Sequence, residues 1–338
     1  MLSKLMIIPK KILIIAEIGV NHDGRISKAK KLIDVAKSCG ADFAKFQVFS
    51  GDTLATQKAN LANYQKKNIK NNKINQKQLL DLYQLNKSDV IEIIKYCNKK
   101  KIKPLFSIFS PEDLKKVPKR YLRIIKVPSG EVTNVPLLRK ISEIAKKIIL
   151  STGMSNIKEI RNAFKILKSK GAEVILLHCT TNYPTKPNEA NIFSVSLLKK
   201  IFKVKVGFSD HTETNLASIL SVLQGSDYIE KHITLNRNSY GPDHSSSMEP
   251  KQFKNYVDDL RNIKIVLGKK IKKPTSSELK NLKIVRKSIF ALRNIKKGEL
   301  FSSKNLCCKR PGYGTSPLKW DLFIGKKAKK SYKKDDFI

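Results

Sequence analysis

Apolar and polar positions follow two periods along this chain. Short aliphatic runs recur at 12–19 (ILIIAEIG), 42–49 (DFAKFQVF), 103–109 (KPLFSIF), 122–127 (LRIIKV), 147–152 (KIILST), 173–179 (EVILLHC), 203–209 (KVKVGFS) and 227–235 (DYIEKHITL). Runs of this length, rich in Ile, Val, Leu and Phe, predict strands buried on both faces. Between them, segments at 27–38, 87–100, 156–169 and 213–224 carry apolar residues at helical spacing, and a further helix is predicted over roughly 250–267. Strands alternating with helices predict a parallel sheet. Eight such units in about 270 residues match the count of a (β/α)8 TIM barrel, with a doubly wound open sheet as the alternative. No G-x-G-x-x-G follows the first run, which counts against a dinucleotide-binding sheet.

The pattern changes at GKKIKKPTSSE (268–278), a polar stretch with Pro and Ser that reads as a linker. Beyond it come the shorter strand-like pieces SIFALRNI (288–295) and GKKAKKSY (325–332), with turn signals at KKGE (296–299) and RPGYG (310–314). The expected organisation is an α/β barrel over 1–268, a linker over 269–282 and a small β-rich domain over 283–338.

Charge changes the picture less than its size implies. The 338 residues hold 68 Lys and Arg against 28 Asp and Glu, a net charge of +40. Such a field attracts nucleic acid, anionic surfaces and phosphorylated substrates. The excess is mostly Lys, however, interleaved with Asn and Ile along the whole chain, and its densest runs (95–103 and 326–336) read as solvated faces. A non-catalytic polyanion-binding protein is the competing class, and no nucleic-acid-binding motif supports it. The five cysteines (Cys39, Cys97, Cys179, Cys307, Cys308) are odd in number and form no C-x-x-C pair, so a reducing cytoplasm is expected. The N-terminal apolar stretch looks signal-like, but Pro9, Lys10, Lys11 and Glu17 break it and no small-residue cleavage site follows, so a signal peptide is not expected. No run reaches the roughly 18 apolar residues of a membrane span.

Candidate chemistry gathers where the strands end. In a (β/α)8 barrel the active site lies at the carboxyl ends of the strands. Seven of the eight expected ends are polar: Glu17 before GVNHDG, Lys45 and Gln47 on one face of the second strand, Lys126 before PSGE, then STGM, HCTTNYP, SDH and EKH. An apolar barrel interior does not hold two lysines and a glutamate without partners, because unpaired buried charge is expensive. Lys45 and Lys126, with the hydroxyls of Ser129, Ser151 and Ser209, suit a substrate bearing phosphate and carboxylate. Each serine alone reads more readily as a helix N-cap or turn residue. His211 and His232 fall on adjacent strand ends and can share one divalent cation. His178, inside the sixth run, is not counted as a ligand. Alternation puts Tyr228, Glu230 and His232 on the interior face of the eighth strand and Ile229, Lys231 and Ile233 outside.

The ordered motifs IAEIGVNHDG, AKFQ, IKVPSGE, ILSTGM, HCTTNYPT, GFSDHT, IEKHITL and GPDHSSSMEP closely resemble the sialic acid synthase family. The segment KKGELFSSKNLCCKRPGYG resembles that family's C-terminal antifreeze-like (SAF) domain. The resemblance implies condensation of phosphoenolpyruvate with a hexosamine-derived aldehyde to a nine-carbon α-keto acid. It implies that Lys45, Lys126, Ser129, Ser151 and Ser209 hold phosphoenolpyruvate. It further implies that His211 and His232 ligate manganese or another divalent cation such as magnesium or cobalt. Glu17, Gln47, Tyr183 and Asp243 then contact the sugar, and Glu230 orients ligands or assists proton transfer. Arg310, in KRPG, would reach a partner subunit's site in a domain-swapped homodimer. Thr181 stands where capsule-pathway sialic acid synthases carry Asn. With the tail RPGYGTSPLKWDLFIGKKAKKSY and LNRNSYGPDHSSSMEP, it places the chain nearer the legionaminic acid synthases. The expected sugar is 2,4-diacetamido-2,4,6-trideoxymannose, ahead of N-acetylmannosamine (N-acetylneuraminate synthesis) and of the pseudaminic acid precursor.

Overall fold

A computed structural model describes residues 9, 11–69 and 74–338. The apolar stretch before Pro9, and Lys10, lie outside the described residues. The chain divides into two compact units, 1–267 and 268–338.

In the first unit eight parallel strands close into a barrel in sequence order. They are β1 (Leu13–Gly19), β2 (Phe43–Val48), β3 (Lys103–Ile108), β4 (Ile124–Val127), β5 (Lys147–Ser151), β6 (Glu173–Cys179), β7 (Val206–Asp210) and β8 (Ser226–His232). The helices expected between them are present, among them Ile26–Ser38, Lys87–Lys100 and Ile157–Lys168. The last two start in capping boxes: Asn86 and Asp89, and Asn156 and Glu159, exchange side-chain-to-backbone hydrogen bonds and satisfy the first free amides. Outward strand residues such as Ile14, Phe46, Ile108 and Ile229 pack on the apolar faces of the helices in one continuous core.

Two boundaries differ from expectation for local reasons. The seventh strand starts at Val206 rather than 203, because Lys203 caps the preceding helix in the left-handed region (φ 52°) and cannot pair as a strand residue. The eighth ends at His232, and Ile233 continues only as a single bridge to Met248. The connection from β2 to Lys87 carries three short helices that the sequence pattern did not predict: Gly51–Leu54, Asn63–Ile69 and Gln76–Tyr83. A satellite core that includes Phe49, Leu61, Leu79 and Tyr83 holds this excursion together.

The inward faces decide where the site lies. Ile15, Phe43, Leu105, Ile149, Ile175, Leu177 and Tyr228 form an apolar plug inside the barrel. One step up, at i+2 on the same faces, stand Glu17, Lys45, Ser107, Lys126, Ser151, Cys179, Ser209 and Glu230. Seven of the eight strands switch from apolar or small to polar at this layer, and β6 places the Cys179 thiol there. Gly207, the small member below Ser209, is forced by packing: a Cβ there would lie 2.3 Å from the Tyr228 carbonyl oxygen.

The second unit holds an antiparallel pair, β9 (Ser288–Ala291) and β10 (Leu306–Lys309). Single bridges join Ile295 to Tyr332, Leu300 to Lys327 and Phe290 to Phe337. The piece expected as a strand at 325–332 therefore contributes two bridges, and Leu306–Lys309 is the strand in its place. A helix starts inside the stretch expected as linker and runs past its end, over Ser276–Val285, started by a Thr275–Glu278 capping box.

Candidate active site

The polar layer floors a cavity of about 350 Å³ at the carboxyl ends of the strands. Lys45 Nζ ion-pairs with Glu17 Oε2 at 3.3 Å and Glu230 Oε1 at 3.1 Å, and donates to Ser107 Oγ at 3.2 Å. Lys126 Nζ donates to Ser151 Oγ at 2.6 Å and lies 3.8 Å from Glu230 Oε1. Ser209 Oγ donates to Glu230 Oε1 at 3.0 Å, and Gln47 Nε2 to Glu17 Oε1 at 3.0 Å. Every ionic member of this network is at most 3% exposed.

Burial and charge split the two carboxylates. Burial pushes Glu17 up to about 7 against the pull of Lys45, and the negative charge of Glu230 adds to the rise. Burial also acts to raise Glu230, but Lys126 and Lys45 together outweigh it and hold its carboxylate at about 2. Lys126 is pushed down to about 8 by burial, against the attraction of Glu230. At neutral pH two ammonium groups thus face one firmly ionised carboxylate and one that is poised to gain or lose a proton. The cavity is set for an anion. Glu230 Oε2 has no hydrogen-bond partner although buried. A native fold leaves such an atom unpaired where something else completes it.

The two histidines meet at the rim, with ring centroids 5.7 Å apart. The His211 Nδ1–H donates to the Thr180 carbonyl at 2.7 Å, so that the Nε2 lone pair faces inward. His232 Nδ1 is buried without a hydrogen-bond partner, 3.8 Å from Asp243 Oδ2. Burial lowers His211 to about 4 and His232 well below its ordinary value, so both imidazoles are neutral. Asp243 is raised to about 6 by burial, with His244 and Lys45 opposing. Two neutral imidazoles, one with an orphaned nitrogen beside a carboxylate, fit a divalent cation. Among the described residues no group of three or more His, Cys, Asp or Glu is arranged as a ready-made metal cage. The pair would therefore leave the remaining coordination positions to water or substrate. Tyr183 packs over both rings, at 4.2 Å from His211 and 5.6 Å from His232.

A NeuB family model matches residues 32–272, and a SAF domain model matches 286–338. The chain belongs to the NeuB family. It is 45% identical over 332 residues to the N,N'-diacetyllegionaminic acid synthase of Campylobacter jejuni, covering 97% of this chain and 99% of that protein. It is 37% identical to the N,N'-diacetyllegionaminic acid synthase of Legionella pneumophila, covering 92% and 89%. Among solved structures it is similar to the N-acetylneuraminic acid synthetase of Leptospira borgpetersenii (TM-score 0.68, 29% identity), covering 80% of this chain and 90% of that one.

This NeuB-family barrel brings together Glu17, Lys45, Gln47, Lys126, Ser129, Ser151, Tyr183, Ser209, His211, Glu230 and His232 on one cavity. Asp243 lies in an adjoining recess of about 90 Å³ shared with Gln47, Tyr183 and His232. Arg310 belongs to the second unit, where its Nε donates to the Val285 carbonyl at 2.9 Å. His178 sits outside the barrel interior, bonded to the Ala190 carbonyl and stacked on Phe208, as a structural residue. Several members escaped the sequence reading, among them Ser107, Cys179, Gln65 and Gln76. Ser107 is the polar end of the third strand, and its signal was a lone hydroxyl at i+2 from Leu105 in an aliphatic run. Cys179 packs its thiol 3.1 Å from Ser129 Oγ. Gln65, from the β2–β3 excursion, accepts from the Ala62 amide at 2.9 Å and reaches the cavity through the fold of that excursion. Gly153 admits this crowding: a Cβ would lie 2.3 Å from Thr181 Oγ1 and 2.9 Å from Cys179 Sγ. Among the described residues no helix is long and apolar enough to cross a membrane.

Proposed function

We propose that this chain condenses phosphoenolpyruvate with the open-chain aldehyde of 2,4-diacetamido-2,4,6-trideoxymannose, giving N,N'-diacetyllegionaminate and inorganic phosphate. The observation that carries the chemistry is the buried Lys45–Lys126–Glu230 cluster beside two neutral histidines. The sugar assignment rests on the likeness to the two N,N'-diacetyllegionaminic acid synthases.

Lys45 and Lys126, assisted by Ser129, Ser151 and Ser209, hold the phosphate and carboxylate of phosphoenolpyruvate and fix its methylene carbon toward the sugar. That carbon forms the new bond to the aldehyde carbon, and positive charge develops at carbon 2. Glu230, ionised with one oxygen unpaired, stabilises that charge. Water adds to carbon 2, and cleavage of the carbon–oxygen bond releases phosphate. Glu17, near half-ionised at neutrality and hydrogen-bonded to Gln47, exchanges the proton with the former aldehyde oxygen. A divalent cation held by His211 and His232 supplies Lewis-acid polarisation of that oxygen when bound. Tyr183, Gln47 and Asp243 line the sugar side. Arg310 reaches the site of a partner subunit in a domain-swapped homodimer.

The test supplies phosphoenolpyruvate and Mn²⁺ with the diacetamido sugar, N-acetylmannosamine or the pseudaminic acid precursor, and measures phosphate release. The diacetamido sugar is expected to give the highest kcat/KM. Preference for another sugar overturns the substrate assignment alone, and absence of release with all three overturns the reaction. Mixing Arg310→Ala with Lys126→Met subunits is expected to restore partial activity, and no restoration overturns action in trans.

A further inference from the structure

A second cavity, of about 720 Å³, opens at the opposite end of the barrel, where β2 to β6 begin. Its walls carry Lys101, Lys103, Arg120, Arg123, Lys146 and Lys147, and a single carboxylate, Glu173. Glu173 is already shared between Lys147 at 3.0 Å and Lys205 at 2.9 Å. Among the described residues no carboxylate pairs with the other five cations. Like charges converging on one recess repel one another unless an anion joins them.

Lysine bias alone does not account for this. The chain has ten arginines among its 68 basic residues, and two of them flank Tyr121 on this recess. Arginine offers a planar, forked donor suited to phosphate, which lysine does not. The floor is apolar: Phe43, Ile102, Pro104 and Ile124. Two cations already lie over rings, Lys103 at 5.7 Å from the Phe43 centroid and Arg120 at 4.9 Å from that of Tyr121. Asn98 Nδ2 donates to the Tyr121 hydroxyl at 2.7 Å and fixes that wall. An apolar floor under a rim of unpaired cations, in a volume typical of small-molecule sites, matches a ligand that joins a flat ring to several negative charges.

We propose that this recess binds a molecule of the nucleotide class, with Arg120 and Arg123 taking the phosphates and the floor taking the ring. The proposal does not depend on the reaction assigned to the upper cavity. Calorimetry with ADP, CDP, inorganic pyrophosphate and a single-stranded RNA, at about 0.15 M salt, tests it. One nucleoside diphosphate per chain is expected to saturate the protein, at least about tenfold more tightly than pyrophosphate, as ring burial adds to the phosphate contacts. Arg120→Gln/Arg123→Gln is expected to weaken it by about tenfold or more, while Lys126→Met leaves it unchanged. Hydrogen exchange on the unsubstituted protein, independent of how the variant folds, is expected to show slowed amides at 98–104 and 120–124 on nucleotide addition. The proposal is overturned by any of four results: no saturation up to about 5 mM nucleotide; equal affinity for pyrophosphate; loss of binding with Lys126→Met but not with the arginine pair; or binding of the RNA alone.

Discussion

Glu230 and Lys231 are neighbours in sequence and both are buried, but their surroundings have opposite character. Lys231 points out of the barrel, pairs with Asp210 Oδ2 at 3.2 Å and donates to the Thr212 carbonyl. Asp210 in turn accepts from the Thr212 amide and hydroxyl, at 2.8 and 2.7 Å, and from Ser218 and Tyr256, at 2.8 and 3.2 Å. This outer cluster is closed on itself. The inner cluster of Lys45, Lys126, Glu17 and Glu230 has comparable burial, yet it leaves Glu230 Oε2 unpaired, holds Glu17 near 7 and borders a cavity. Burial of charge therefore does not by itself mark a site. Incomplete satisfaction facing open volume does.

The comparison can be broken at several points, and the largest effect is expected inside. Lys126→Met should lower phosphate release by about a thousandfold or more, since it removes a charge used in substrate and transition state. The same change removes a poorly solvated ammonium but leaves Glu230 paired with Lys45, so the thermal midpoint should fall by less than for loss of a sole buried partner. His211→Ala should lower turnover by about a hundredfold or more, and activity should no longer respond to added Mn²⁺, read by titrating the cation into chelated enzyme. Outside, Lys231→Met should cost about 3 kcal/mol of unfolding free energy in a denaturant titration, the lower end for breaking a buried pair. The other donors to Asp210 soften that loss, and KM should stay within a few-fold of the parent.

The smallest effect is one of pH on the metal-free protein. Glu17 rises from 4.5 to about 7 on folding, so the folded chain keeps a proton that the unfolded chain has lost. Its contribution to stability falls as pH rises across that window. His211 moves from 6.5 to about 4, so its contribution is present above pH 6.5 and is lost as pH falls. The two oppose each other between pH 4.5 and 6.5. Glu17→Gln should therefore make stability rise more steeply with pH there, by up to about 1.4 kcal/mol per unit, as followed by denaturant midpoints across the range.

Much of this arrangement was legible in the chain. The eight aliphatic runs sit within a few residues of the observed strands, because a strand buried on both faces leaves a continuous apolar signature. Alternation within DYIEKHITL assigned Glu230 and His232 inward and Lys231 outward correctly. What escaped depends on distant partners. Leu306–Lys309 is four residues long and becomes a strand only by pairing with Ser288–Ala291. The helices over 51–83 are short and fold onto Phe49 and Tyr83 rather than onto the barrel's outer ring. Ser107 was hidden by its aliphatic neighbours, and only its register beside Gln47 and Lys126 makes it a member of the polar layer.

The plug beneath that layer acts as an electrical insulator. Ile15, Leu105, Ile149, Leu177 and Tyr228 separate the reacting end from the cation-lined recess below. Apart from the Tyr228 hydroxyl the septum is apolar, which disfavours passage of protons and water between the two ends. Phe43 and Ile124 both touch this plug and line the lower recess, and they stand two positions below Lys45 and Lys126 on the same strand faces. Any influence of the lower recess on the chemistry would have to cross this septum as a mechanical displacement, with Phe43 and Ile124 as its lever arms beneath Lys45 and Lys126.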